Sequence, residues 1–185
     1  MRKSKTAMAV QTLTRLALLG AVALVLGWVE SFFPTIYGIK LGLANTVLLY
    51  ALYLLDVPSA FILMVLKVFL SLLTPGGGER FIYSAAGAVL SLLAMLLIKS
   101  VSREKTSVIG VSVVGALFHN IGQMLVAAAI FGVIPILAYS PIVLLSGVVL
   151  GVATGTVGRY AIRALAATGV GNPKGKTVES KGDMK

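Results

Sequence analysis

The chain of 185 residues contains no cysteine and one histidine, and only 12% of its residues are charged. The absence of cysteine excludes disulfides, iron–sulfur clusters and thiolate zinc sites. Water-soluble domains are about 25% charged and about 45–50% apolar, whereas this chain is 58% hydrophobic with a mean hydropathy of +0.99. The composition excludes a soluble enzyme, a nucleic-acid-binding protein and a disordered regulator. It indicates a protein of the lipid bilayer, for which we expect no metal and no other cofactor.

Six apolar stretches are candidates for transmembrane helices, because a helix needs about 20 apolar residues to cross the hydrocarbon core. The predicted spans are 12–33, 41–55, 58–74, 81–98, 108–131 and 136–163. The second is short and follows a glycine-containing stretch, so we expect some irregular backbone there, shielded by neighbouring helices. The sequence therefore predicts an all-α integral membrane protein, a bundle of about six transmembrane helices. Its parts are a basic N-terminus over 1–11, a membrane domain over 12–165 and a disordered tail over 166–185.

The basic residues are distributed unequally about these spans, and this inequality orients membrane proteins by the positive-inside rule. Of the 16 Lys and Arg residues, 13 lie near the start of the chain, between the fourth and fifth spans, or near and beyond the end of the sixth. They are Arg2, Lys3, Lys5, Arg15, Lys99, Arg103, Lys105, Arg159, Arg163, Lys174, Lys176, Lys181 and Lys185. We therefore predict that both termini are cytoplasmic.

The start of the chain also has features of a cleaved signal peptide, with an A-x-A-type site at residues 21–23. The apolar run continues to Phe33, whereas the apolar region of a signal peptide is about 7–15 residues long and ends at the cleavage site. We therefore expect the first span to remain in the protein as a helix.

Motifs of phosphate and hydrolytic chemistry are incomplete in this sequence. The segment 175–177 resembles the end of a P-loop, but Val170 replaces the first glycine, and no strand precedes it. The acidic residues are Glu30, Asp56, Glu79, Glu104, Glu179 and Asp183. No two are close enough in sequence to form a local magnesium cluster, although a long-range site stays open. His119 has no acidic neighbour in its span, so we expect neither nucleotide hydrolysis nor catalysis by the chain alone.

Polar side chains inside the apolar spans are the best candidates for a functional site, because ionisable and polar groups are costly in a bilayer. Lys67 lies near the middle of the third span, and Asn45 lies in the second. His119, Asn120 and Gln123 lie near the middle of the fifth, where His119 and Gln123 share a helical face. Together these residues predict a polar pocket in the outer half of the bundle, where substrate would bind.

The charges near this pocket favour an anionic ligand. Lys40 lies in the loop after the first span, where we expect a lid, and Arg80 lies at the outer interface with Glu30. Alternatives remain for each group. Lys67 can extend toward the membrane surface or pair with Glu30, Lys40 and Arg80 can be ordinary interface anchors, and the polar group of the fifth span can form inter-helix hydrogen bonds.

Small residues predict where helices approach closely. Gly147, Gly151 and Gly155 repeat every four residues on the last span, which is typical of a helix-packing face. Ala17 and Ala21 form a smaller face of this kind on the first span. Packing within the bundle explains the last span, whereas the first can also dock a partner.

Two segments carry a resemblance to a known family. Residues 38–45 and 110–123 resemble the Gx transporter family, which is commonly labelled heptaprenyl diphosphate synthase component I. That family is similar to the substrate-binding S components of energy-coupling factor (ECF) importers. The resemblance implies a bacterial cytoplasmic-membrane subunit that captures a small vitamin or precursor from outside. It also implies docking, through Ala17 and Ala21, on a transmembrane coupling protein with two cytoplasmic ATPases.

The family label implies a different role, that of a membrane accessory subunit of a polyprenyl diphosphate synthase in quinone side-chain synthesis. This sequence lacks the aspartate-rich motif and the soluble helical domain that chain-elongating synthases need. The accessory role would therefore require a soluble prenyl synthase partner. A stand-alone secondary carrier is less favoured, because the sequence has no evident repeated half.

Overall fold

The computed structural model describes residues 5–33, 42–101 and 106–167, and none of these residues forms a strand. Six α-helices account for most of them: α1 (Lys5–Ser31), α2 (Thr46–Leu54), α3 (Val57–Leu70), α4 (Gly77–Val101), α5 (Val108–Phe131) and α6 (Val133–Ala167). Two 3₁₀ turns, Leu43–Asn45 and Ser71–Leu73, precede α2 and follow α3. The predicted all-α membrane bundle of six helices is confirmed.

Four of the helices are long and apolar enough to cross a membrane. These are Val10–Ser31, Gly77–Val101, Val108–Phe131 and Val133–Tyr160. The second and third predicted spans correspond to shorter apolar helices. At 1.5 Å per residue, the nine residues of α2 extend about 14 Å, less than half of a hydrocarbon core of about 30 Å. The predicted tail from residue 168 onward lies outside the described residues.

Local sequence explains several helix ends. The Asp56 side chain accepts a hydrogen bond from the Ser59 N–H at 2.9 Å, which caps α3. Ser107 caps α5 in the same way, at 3.1 Å from the Gly110 N–H. Gly132 has a φ of +91°, which few other residues adopt readily, and it separates α5 from α6.

Helix α5 packs closely on both of its sequence neighbours because glycines line the contacts. A Cβ atom at Gly122 would lie 2.6 Å from the backbone oxygen of Ala86 on α4. A Cβ atom at Gly151 of α6 would lie 2.7 Å from the Cα of Val113. The structure places the three glycines of the predicted packing face on α6, including Gly151, against α5.

Helix α2 lies at the centre of the bundle, and ionisable side chains from other helices contact both of its ends. At its N-terminal side, Glu30 Oε1 accepts hydrogen bonds from the N–H groups of Gly42 and Leu43, at the start of the 3₁₀ turn. At its C-terminal side, Lys99 Nζ donates to the Leu52 carbonyl at 2.8 Å and lies 4.3 Å from the centroid of the Tyr53 ring. A carboxylate at the N-terminus and an ammonium at the C-terminus both complement the helix dipole.

We predict that Lys99→Met lowers the free energy of unfolding by about 1 kcal/mol, because a carbonyl at the end of α2 loses its charged donor. Lys99→Arg retains a donor and serves as the control. Thermal denaturation in detergent, followed by circular dichroism, measures the difference. Equal melting temperatures for Lys99→Met and the wild type would contradict a capping role.

Candidate functional site

A cavity of about 40 Å³ lies between α1, α3, α4, α5 and the residues just before α2. Its walls are formed by Ala23, Leu24, Gly27, Glu30, Gly42, Ala44, Lys67, Leu70, Ser71, Thr74, Tyr83, Ser84, His119 and Gln123. A cavity of this volume holds roughly three water molecules, at about 10–15 Å³ for each molecule. The cavity adjoins the C-terminal half of α1, so it lies in the half of the bundle in which α1 ends.

Lys67 is the cation in the wall of this cavity, and only 5% of its surface is exposed. Its Nζ donates a hydrogen bond to Asn45 Oδ1 at 3.2 Å, and Asn45 Nδ2 donates to Ser91 Oγ at 2.5 Å. The three side chains connect α3, the 3₁₀ turn before α2, and α4. We call them the Lys67–Asn45–Ser91 bridge.

His119 and Gln123 line the cavity from α5, one helical turn apart. The His119 ring lies in a slot between two glycines. A Cβ atom at Gly42 would lie 2.9 Å from its Cδ2, and a Cβ atom at Gly87 would lie 2.6 Å from its Cε1. Gly42 also has a φ of +79°. The imidazole can therefore occupy this wall because neither neighbour carries a side chain.

Glu30 also lines the cavity and is 4% exposed. The sequence places it at the outer interface, and only the structure shows that it faces inward. Its Oε1 binds the N–H groups of Gly42 and Leu43, so the acid holds the chain segment that enters α2. In the sequence, the feature that could have indicated this role is a single carboxyl group near the end of an apolar span.

Sequence reasoning also missed the polar face of α4. Ser84, Gly87 and Ser91 lie at i, i+3 and i+7, which places them on one face of the helix. Ser84 lines the cavity with Tyr83, while Ser91 belongs to the bridge. The spacing of small and hydroxyl residues on α4 is the signal from which this wall could have been found.

The other predicted site residues that the structure describes do not line this cavity. Asn120 Nδ2 donates to the Val143 carbonyl of α6 at 2.7 Å, so this amide joins two helices. Asn45 touches the cavity wall only through its bond to Lys67. Lys40 falls outside the described residues, and Arg80 does not line the cavity. The structure thus brings Asn45, Lys67, His119 and Gln123 together and directs Asn120 toward α6.

Two further predictions concern surfaces and metals. Ala17 and Ala21 are exposed on α1. In the described ranges, no group of three or more His, Cys, Asp or Glu side chains lies close enough together to hold a metal ion.

The fold and the cavity together define a multi-pass helical membrane protein with a polar chamber inside its bundle. A family model described as heptaprenyl diphosphate synthase component I matches residues 19–161. The match covers most of the chain and every residue of the cavity wall, and the chain belongs to this family. Comparison with curated proteins and with solved structures finds no match.

Proposed function

We propose that this chain is the membrane-embedded substrate-binding subunit of an importer, similar to the S components of ECF transporters. Its ligand would be a small vitamin or precursor with an anionic group. The observation that carries this proposal is the buried Lys67 side chain in the wall of a polar cavity. Ionisable groups inside membrane helices are costly and typically mark a site or a pathway.

The cavity wall supports recognition of a carboxylate or a phosphate. An ammonium has three N–H donors, so Lys67 can hold the Asn45 amide and a ligand oxygen together. His119 and Gln123, which line the same cavity from α5, carry further hydrogen-bonding groups. The cavity accommodates the anionic group of a ligand, and a vitamin-sized body would require the walls to move apart. Lys40 would contribute from the lid.

The proposed orientation places both termini in the cytoplasm of a bacterial cell and the cavity in the outer half of the membrane. The charge distribution supports this, with 13 of the 16 basic residues on the side assigned to the cytoplasm. The importer would also contain a transmembrane coupling protein and two cytoplasmic ATPases. The exposed positions of Ala17 and Ala21 on α1 support that helix as the docking face.

A second candidate function is favoured by the family description. A membrane accessory subunit of a heptaprenyl diphosphate synthase would use the same cavity for the diphosphate group of an isoprenoid. In that case a soluble prenyl synthase subunit, rather than ATPases, would be the partner.

Affinity purification of the tagged chain from its native membranes, in a mild detergent, separates the two functions. We expect mass spectrometry of the co-purified proteins to find a transmembrane coupling protein and two ATPases. Recovery of a soluble prenyl synthase subunit in their place would contradict the importer and support the accessory role.

A further inference from the structure

A second cavity, of about 20 Å³, lies between the start of α2 and helices α4, α5 and α6. Its walls include Gly42, Asn45, Thr46, Met95, Ser112 and Thr154. Two of its hydroxyl groups face each other across helices, since Ser112 Oγ of α5 lies 3.1 Å from Thr154 Oγ1 of α6. The walls of this second cavity therefore also combine hydroxyl and amide groups.

The two cavities follow one another along the bundle. Ser84 lines the first and Met95 lines the second, and both lie on α4. These two positions are eleven residues apart, which corresponds to about 16 Å along a helix. The two cavities nevertheless adjoin, because Gly42 lines both of them. Lys67 of the first cavity donates to Asn45 of the second, so the Lys67–Asn45–Ser91 bridge joins a wall residue of one chamber to a wall residue of the other.

The second cavity meets the conditions for holding water. A buried water molecule needs about 10–15 Å³ and two to four polar partners. This cavity offers about 20 Å³, with polar side chains from Asn45, Thr46, Ser112 and Thr154. Ser112 and Thr154 already bond to each other, and Asn45 already bonds to Lys67 and Ser91. A hydroxyl or amide oxygen has two lone pairs, so water in the cavity would bond to the remaining acceptor positions of these groups.

We propose that the second cavity is hydrated and that Asn45 is a gate between the two chambers. The bundle then contains a polar path for water and for solutes of similar size, interrupted at the bridge. This path goes beyond ligand capture from one side of the membrane, and it does not depend on the identity of the ligand or the partner.

Two methionines allow hydration to be tested in the unmodified chain. Met95 lines the second cavity and is 1% exposed, whereas Met64 is 6% exposed and lines neither cavity. X-rays convert bound water into hydroxyl radicals. These radicals oxidise methionine side chains that lie close to that water. In lipid nanodiscs we expect Met95 to be oxidised about threefold faster than Met64, despite its deeper burial. Equal or slower oxidation of Met95 would overturn the proposal.

Substitution of Asn45 tests the gate. Asn45→Ala removes the side chain between the chambers, and we expect about a twofold further rise in Met95 oxidation with Met64 unchanged. Ser91→Ala removes the hydroxyl group to which the Asn45 amide donates, while the asparagine itself remains. We therefore expect this variant to raise Met95 oxidation as well. Asn120→Ala, which removes a buried amide bonded to α6, is the matched control. A wild-type rate at Met95 in both bridge variants would show that Asn45 is not a gate.

Discussion

Gly122→Val should prevent α4 and α5 from packing at their native separation. A Cβ atom at this position would lie 2.6 Å from the Ala86 carbonyl oxygen and 2.8 Å from the Gly87 Cα. These are backbone atoms, so no side chain can turn away, and the two helices must separate. Overpacking of this kind costs about 1–3 kcal/mol, and we expect a loss of about 3 kcal/mol. The separation would also open the slot that holds His119.

Thermal denaturation in detergent measures this loss directly. For a chain of this size, about 3 kcal/mol corresponds to a decrease in melting temperature of roughly 10 °C. Gly78→Ala is the control, because Gly78 lies on α4 with no neighbouring atom within 4 Å of an added Cβ. Alanine is the better helix former, so the control should melt at or slightly above the wild-type temperature. A Gly122→Val variant as stable as that control would refute the close backbone contact.

Glu30→Ala should produce the second large effect. The Glu30 carboxylate accepts N–H bonds from Gly42 and Leu43, which precede the central helix. Hydrogen bonds to charged groups contribute about 1.5–3 kcal/mol each, and donors left unpaired in the interior destabilise the fold further. We expect a loss of about 3 kcal/mol, because the two bonds share one oxygen and are not additive.

Glu30→Gln separates hydrogen bonding from charge. The glutamine side-chain oxygen can still accept from the Gly42 N–H, so this variant should lose less than half as much stability as Glu30→Ala. Trp28, the single tryptophan, lies two residues away on α1 and provides a local fluorescence signal for unfolding. If both variants unfold at the wild-type temperature, Glu30 does not anchor the segment before α2.

The sequence predicted the helices well because apolar run length and turn residues are local properties. The third span is predicted to begin at 58 and α3 begins at Val57, and the fifth is predicted over 108–131, which are the bounds of α5. The ends were less well predicted. Helix α1 begins at Lys5, seven residues before the predicted span, because a helix can continue beyond the hydrocarbon core. Helix α6 is likewise longer than predicted and ends at Ala167.

The site was predicted only in part because helix rotation is set by packing. His119 and Asn120 are adjacent in sequence, but successive residues are about 100° apart around a helix. One therefore lines the cavity while the other bonds to α6. The inward position of Glu30 depends on where the segment before α2 passes α1, which no local pattern encodes. The glycine slot around His119 likewise arises from three separate elements of the fold.

We propose above that Lys67 holds an anionic ligand inside the membrane domain. Native mass spectrometry of the chain purified from its own membranes tests this role of Lys67, with Lys67→Met compared against Lys5→Met. The control removes the same charge from the first residue of α1. We predict a small-molecule adduct on the wild type and on Lys5→Met, with binding weakened about tenfold or more in Lys67→Met. The absence of an adduct from the wild type, or equal occupancy in all three proteins, would contradict a ligand-binding role for Lys67.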